Sequence, residues 1–404
     1  LLRYDLQNNV LKTAIPEIRK GMLNYPLGQP AMPNYCQDKE GTVWMAGFQG
    51  LLKVRRTGNS FAHYLSEPIL QVEAPPLGMT FREIIQAGPG KVLTHSGAEI
   101  YKIDLQTGNA WQVNPLRDKI FLPINTEAGK LPDLYDVDYI HSIYTGRLYF
   151  YSIGADRDGF IWMNTLKNLF RYDPATEQFR RYAYPEPGGY AFYADFGAQI
   201  LLACFGKGNF FLDKQTGTWK PAPNWNLDLL KPPLLIPEEN TLWGITDTGL
   251  MKINTQTLDT RYIRLYDEAR EQRCIVAHRG WLWLGTARGL EKVNPQTFSH
   301  INFDRSKGLP GNYVYSMVAD GNYLWLGTGD GLCRFDVETN EVKNFYVEDG
   351  LSHNEFNTLS TLKMEDGRIL MGGLNGINAF FPSDLEGKTA AKSRTLLSRY
   401  SLFD

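Results

Sequence analysis

The tetrapeptide Trp283-Leu284-Gly285-Thr286 returns as Trp325-Leu326-Gly327-Thr328, inside a cassette too short to bury its own apolar side. Copies of such a cassette must stack on one another, so the repeat constrains the architecture before any residue chemistry is considered. The same slot is taken by Trp44, Leu93, Trp162, Leu202, Trp243, Trp283, Trp325 and Leu370, each within a short apolar run. The usual step is about 40 residues, the size of a propeller blade. Ahead of most slots stands a hairpin turn: Glu40-Gly41, Pro89-Gly90, Asp158-Gly159, Asp320-Gly321 and Asp366-Gly367. Glycine supplies the positive φ that a tight two-residue turn requires. Behind the slot come a small-residue turn and a second apolar run, such as Gly331-Leu332-Cys333-Arg334-Phe335. A further turn is opened by Asp5, Asp104, Asp173, Asp213, Asn254, Asn294 or Asp336, whose side chains can bond the backbone two residues on.

Each unit therefore reads as four antiparallel strands, A to D, with the Trp on strand B. Strand A of one unit is visible as Tyr313-Val314-Tyr315-Ser316-Met317-Val318. No stretch sustains apolar residues at i, i+3 and i+4 as a helix would. The predicted fold is all-β, a β-propeller of four-stranded antiparallel blades over 1–385. The repeat count favours eight blades; seven, with one unit displaced, is the alternative. An orphan outer piece, Leu1-Leu2-Arg3-Tyr4-Asp5-Leu6, is expected to pair with Asn378-Ala379-Phe380-Phe381 and close the ring. The long step from Leu93 to Trp162 predicts a loop insertion of about 25 residues within 112–150, where Pro115, Pro123 and Pro132 fall.

The 404 residues form one domain on this reading, because blades add laterally. A net charge of −2 argues against bulk attraction to nucleic acid or an anionic membrane. No apolar run approaches a membrane span and no signal peptide is visible. The chain opens at Leu1, inside a strand-like run and without an initiator Met, and is expected to be a piece of a longer protein. Cys36, Cys204, Cys274 and Cys333 lie far apart in predicted strands and are read as buried small apolar residues. GxSxG, HExxH and GxGxxG are absent. Gly387-Lys388-Thr389 lacks the upstream glycine of a phosphate loop, having Pro382 in its place. None of the histidines (63, 95, 141, 278, 300, 353) pairs with Cys or Glu at metal-ligand spacing. No catalytic residue, metal or cofactor is assigned. Asp136, Asp138 and Glu355 are acid/base candidates only in principle.

In a four-stranded blade the B–C turn and the connection from D to the next A emerge on one face, the A–B and C–D turns on the other. The A–B turns here are terse and repetitive. The B–C turns vary at one position, which holds Lys167, Lys207 and Arg288 among others. The D–A connections vary too, through Arg273, Asn312-Tyr313 and His353-Asn354-Glu355-Phe356. A uniform scaffold on one face and varied polar or aromatic groups on the other mark a binding surface in a repeat protein. Lys167, Lys207 and Arg288 would suit carboxylate or sulfate groups, and aromatic residues such as Tyr313 would suit sugar rings. The predicted ligand-binding set is Lys167, Lys207, Arg273, Arg288, Asn312, Tyr313, His353, Asn354 and Glu355.

Gly308-Leu309-Pro310-Gly311-Asn312-Tyr313-Val314-Tyr315-Ser316-Met317, followed by Leu324-Trp325-Leu326-Gly327-Thr328 and Gly331-Leu332-Cys333-Arg334-Phe335, resembles the two-component regulator propeller repeat. Asp349-Gly350-Leu351-Ser352-His353-Asn354-Glu355-Phe356-Asn357 with Gly372-Gly373-Leu374-Asn375-Gly376-Ile377-Asn378-Ala379-Phe380 resembles its closing unit. Leu397-Ser398-Arg399-Tyr400-Ser401-Leu402-Phe403 is similar to the first strand of the immunoglobulin-like domain that follows in the family, which implies a linker and strand over 386–404. The resemblance implies seven-bladed propellers in the periplasmic, extracytoplasmic part of an inner-membrane receptor. It implies a non-catalytic sensor of glycan-derived oligosaccharides, with the histidine kinase in another part of the receptor. The partners it implies are a small-molecule or oligosaccharide ligand, a neighbouring propeller and the immunoglobulin-like domain. A homodimer in the intact receptor is a further expectation; nucleic acid and direct membrane insertion are not. A propeller polysaccharide lyase or glycosidase, and a structural spacer whose ligand binds elsewhere, are the alternatives.

Overall fold

The computed structural model describes residues 60–66, 81–96, 99–113, 150, 152–165, 167–185, 191–204, 208–223, 230–238 and 240–386, with strands at 2–5, 10–13, 34–37, 43–47 and 50–54. Two compact units are present, residues 1–58 with 68–73 and residues 59–67 with 74–404. In the first, Leu2–Asp5 pairs antiparallel with Val10–Thr13. Asn34–Gln37, Val43–Gly47 and Gly50–Val54 form a three-stranded sheet there.

The second unit is the propeller. Among the described residues it holds seven four-stranded antiparallel sheets, blades 1 to 7, at 82–113, 152–183, 191–221, 230–264, 272–303, 314–345 and 356–380. Blade 7 supplies three strands of its own, and Ala62–Tyr64 adds the fourth against Ile377–Phe380. This strand closes the ring. Phe61 beside it packs edge-on against Phe380 at 5.3 Å, and the Tyr64 hydroxyl donates to Leu105 O of blade 1 at 2.9 Å.

The core is a ring of layers between blades. Seven hydrophobic clusters of described residues each join one blade to the next, and the last joins blade 7 to blade 1. The repeated tetrapeptide explains itself on this plan. Side chains alternate across a strand, so Trp325 faces blade 7 while Leu324 and Leu326 face blade 5. Trp283 faces blade 6 and meets Phe335 edge-on at 5.6 Å. A strand buried on both faces reads as a continuous apolar run. The glycine follows because neighbouring groups crowd its position: a Cβ on Gly327 would lie 2.5 Å from Ser316 Oγ and 2.8 Å from Phe356 Cβ. The threonine clamps the next turn, with Thr328 Oγ1 donating to Gly331 O at 2.8 Å and accepting from Asp330 N at 3.1 Å.

Several expectations need correction. The hairpin carrying Trp44 lies in the first unit, so the ring has seven blades and not eight. The expected closing strand, Leu1-Leu6, instead supplies Leu2–Asp5 to the Val10–Thr13 pair, and Ala62–Tyr64 takes its place. In blade 3 the Trp slot belongs to Leu201, one residue before Leu202. Leu201 packs toward blade 4, and Leu202 packs back toward blade 2. With no Trp to mark the register, two adjacent leucines are indistinguishable in sequence. The predicted insertion falls largely on 114–149, and the segment 387–404 holds most of the predicted linker and strand; both lie outside the described residues. Cys274 and Cys333 are buried free thiols, and burial raises both, Cys274 to about 12.

The C–D turns behave as expected. Asp104, Asp173, Asp213, Asn254, Asn294 and Asp336 each accept the backbone N–H two residues on, at 2.9–3.0 Å. Backbone or hydroxyl donors at Thr107, Thr176, Thr216 and Thr339 hold the four aspartate carboxyls below their ordinary range. Depressed carboxyls contribute stability above their unfolded pKa and lose it as pH falls through the folded value. Replacing these four aspartates together by Asn keeps the acceptor and removes the proton. The acid limb of the unfolding profile, followed by circular dichroism from pH 7 to 2, should become shallower.

Candidate functional site

Strand A opens with a β-bulge in several blades. The register shifts between Arg82 and Ile84 in blade 1, Gln272 and Cys274 in blade 5, and Val314 and Ser316 in blade 6. The residues left over are Glu83, Arg273 and Tyr315. A bulge leaves one residue unpaired and re-aims its side chain, so the repeat presents one such position per bulged blade on the face of the B–C and D–A connections.

At blades 5 to 7 these positions gather a mixed cluster. Arg273 Nη2 lies 2.5 Å from Glu271 Oε2, and Arg273 Nε is buried without a hydrogen-bond partner. The Tyr313 and Tyr315 rings stack, with centroids 5.8 Å apart and planes 21° off parallel. Tyr313 is 44 % exposed. Burial raises the Tyr315 hydroxyl, the Glu355 charge raises it further, and Arg273 offsets part of this. A planar aromatic shelf thus stands beside one guanidinium and two carboxylates. Such a group can stack on a ring and hydrogen-bond its substituents.

Three of the predicted residues, Arg273, Tyr313 and Glu355, are therefore brought together. Asn312 and Asn354 fasten their own connections: each side-chain oxygen accepts a backbone N–H, from Arg305 at 3.1 Å and from Val347 at 2.8 Å. His353 Nδ1 accepts from Glu355 N at 2.9 Å. Arg288 is exposed in its B–C turn, 3.6 Å from Glu268. Lys167 is half-buried in the blade 2 turn, where its carbonyl accepts Tyr184 N at 2.8 Å. Lys207 lies outside the described residues. Sequence reasoning missed Glu83, Glu271 and Tyr315. Strict alternation assigns Tyr315 the same side as Tyr313 but cannot place a bulge. The signal available was the internal repeat itself, since Arg273 and Tyr315 occupy equivalent positions.

A separate cavity of ≈ 520 Å³ follows the inner strands of blades 1, 2, 3 and 7. Glu83 lines it, and Glu83 Oε2 meets Nε2 of the buried His95 at 2.6 Å. Tyr193 also lines it, its hydroxyl donating to Trp162 O at 2.8 Å. On the side of the A–B turns, Lys214 Nζ sits 3.0, 2.8 and 2.9 Å from Asp156, Asp158 and Asp195. Arg157 reaches Asp195 at 3.1 Å. No helix among the described residues is long and apolar enough to cross a membrane.

Residues 308–330, the connection into blade 6 and its first hairpin, match the family described as the two component regulator propeller. No curated protein matches the chain. The extracellular domain assigned to the hybrid two component system BT3049 of B. thetaiotaomicron is similar, with a TM-score of 0.63 at 18 % identity over 94 % of this chain and 48 % of that one. The extracellular domain assigned to the one component system BT4673 of the same organism gives 0.56 at 18 % identity, over 94 % and 50 %. The chain thus spans about half the length of these structures. At this identity the likeness shows the fold, a β-propeller.

Proposed function

We propose that this chain is a ligand-sensing propeller without catalytic activity, from the extracytoplasmic, periplasmic side of a two-component receptor. Its ligand is a glycan-derived oligosaccharide, bound at the mouth formed by blades 5 to 7. The observation that carries this reading is the stacked Tyr313–Tyr315 pair flanked by Arg273 and Glu355 on the variable face. Aromatic faces take sugar rings, and the charged groups fix hydroxyls or acidic substituents. The two-component repeat at 308–330 and the fold shared with receptor extracellular domains support the receptor context. A neighbouring propeller and an immunoglobulin-like domain would be its partners, in a homodimeric receptor. A ligand that prefers one placement of these domains shifts the receptor equilibrium by its differential affinity alone.

Isothermal titration against a panel of plant, host and microbial oligosaccharides tests this. One class should bind without being turned over, and Tyr313→Ala should weaken it at least tenfold, the loss expected when a stacking face worth about 1.4 kcal/mol is removed. Appearance of cleaved product would make the chain a lyase or glycosidase. Silence across the panel would make it a spacer.

A further inference from the structure

We propose that the axial cavity is a second binding site, for a small ammonium compound with an apolar body whose charged head meets the Glu83 carboxylate. It does not depend on the oligosaccharide reading, because Arg273, Tyr313 and Tyr315 are not among the residues that line this cavity. Its volume of ≈ 520 Å³ falls within the roughly 300–1,000 Å³ of small-molecule sites. Ile84, Ile153, Leu242 and Leu359 make much of the wall aliphatic. Walls of that kind accept an apolar body and leave a few polar groups to orient it.

Glu83 is the group placed to do so. It is only 7 % exposed. Oε2 is taken by His95, while Oε1 has no hydrogen-bond partner among the described residues. Its backbone stands at φ 27°, a region that residues with side chains rarely occupy. Strain of this kind persists where the surroundings over-determine it, and it gathers at ligand sites. The sign of the charge follows from the other groups. Asp156 and Asp195 also line the cavity, but Lys214 and Arg157 are paired with them. Glu83 has only the His95 ring. The Tyr193 hydroxyl is held well above its ordinary range, first by burial and then by the Glu83 charge. An anion would be repelled from this wall. An apolar ligand would leave Glu83 Oε1 without a donor, whereas an ammonium N–H can supply one.

Titration of the 404-residue chain with cyclohexylammonium, cyclohexanol and cyclohexanecarboxylate at pH 7 tests the assignment with three probes of matched shape. The ammonium should bind at least tenfold more tightly than the alcohol, and the carboxylate should give no binding. Glu83→Gln should erase the ammonium's advantage, while Tyr313→Ala should leave it intact. If circular dichroism shows that Glu83→Gln does not fold, the ranking on the unmodified chain decides. Equal affinities, a preference for the carboxylate, or no ammonium binding at millimolar concentration would overturn the proposal. So would an ammonium preference that survives in folded Glu83→Gln or is lost in Tyr313→Ala.

Discussion

Gly327→Ala should cost the propeller about 3 kcal/mol, the upper end for overpacking a tight core. The methyl group would arrive 2.5 Å from Ser316 Oγ within its own blade and 2.8 and 2.9 Å from Phe356 Cβ and Cγ in the next. The serine hydroxyl can rotate away. Phe356 cannot, because its Cβ is fixed to the inner strand of blade 7, so blades 6 and 7 must part. Gly159→Ala is the contrast. Gly159 sits at φ 86° in an A–B turn with nothing within 4 Å of a Cβ, and only its backbone is strained. That substitution should cost about 1 kcal/mol. Urea unfolding followed by tryptophan fluorescence separates the two, and adding Ser316→Ala to Gly327→Ala should recover part of the loss. Equal costs for both glycines would mean that blade spacing is soft and that the repeat's glycine has another purpose.

Lys214→Met should cost a similar amount, about 3 kcal/mol, at the low end for breaking a buried ion pair on one side. The methionine fills the space and leaves three carboxylates without their shared cation. Asp156 suffers most, because its side chain is 1 % exposed. It keeps Trp162 Nε1 at 2.8 Å and the backbone N–H groups of Asp158 and Phe160 at 3.0 Å. These donors are dipoles and do not neutralise the charge. The pH dependence identifies the cause. Burial alone would raise the Asp195 carboxyl, yet hydrogen bonds from Arg157 and Lys214 hold it lowered. Burial alone would lower Lys214, yet Asp158, Asp195 and Asp156 keep it raised. The carboxylate contribution is present above its unfolded pKa and lost as pH falls through the depressed value. The lysine contribution is present below its unfolded pKa and lost as pH rises through the elevated value. The gap between wild type and Lys214→Met should therefore be widest from about pH 5 to 9 and close at both extremes. A gap that stays constant with pH would point to packing rather than charge.

The propeller was legible wherever a residue did the same local task in several blades. Asp-Gly and Pro-Gly pairs announced the A–B turns, and Gly90, Gly159, Gly321 and Gly367 all take positive φ. Asp and Asn at the C–D turns bond the backbone as their chemistry suggests. The Trp slot located strand B in most blades. It failed at Leu202, where a neighbouring leucine has the same composition and only pairing with Phe211 fixes Leu201 as the equivalent. The candidate site was legible in part. Three of the predicted residues stand together in the structure, but a bulge that re-aims Glu83 and Tyr315 leaves no mark on hydrophobic alternation. Asn312 and Asn354 have a local task that the sequence did not announce: each caps its own connection, and in sequence such a side chain looks like one that awaits a ligand.

The sequence by itself determined the unit: four short strands, their turns, and a buried tryptophan that requires another unit beside it. These are local consequences of backbone sterics, side-chain capping and period-two burial, and each can be read within about 40 residues. Only the tertiary structure decided how many units share a ring and what closes it. Ala62–Tyr64 completes blade 7 from the far end of the chain through backbone hydrogen bonds. Those bonds are the same for every residue, so an open strand edge selects its partner by proximity and fit, and no motif in a three-residue strand can announce the choice. The same holds for the axial cavity. Glu83, Tyr193, Leu242 and Leu359 share it only because the ring brings their blades to a common axis.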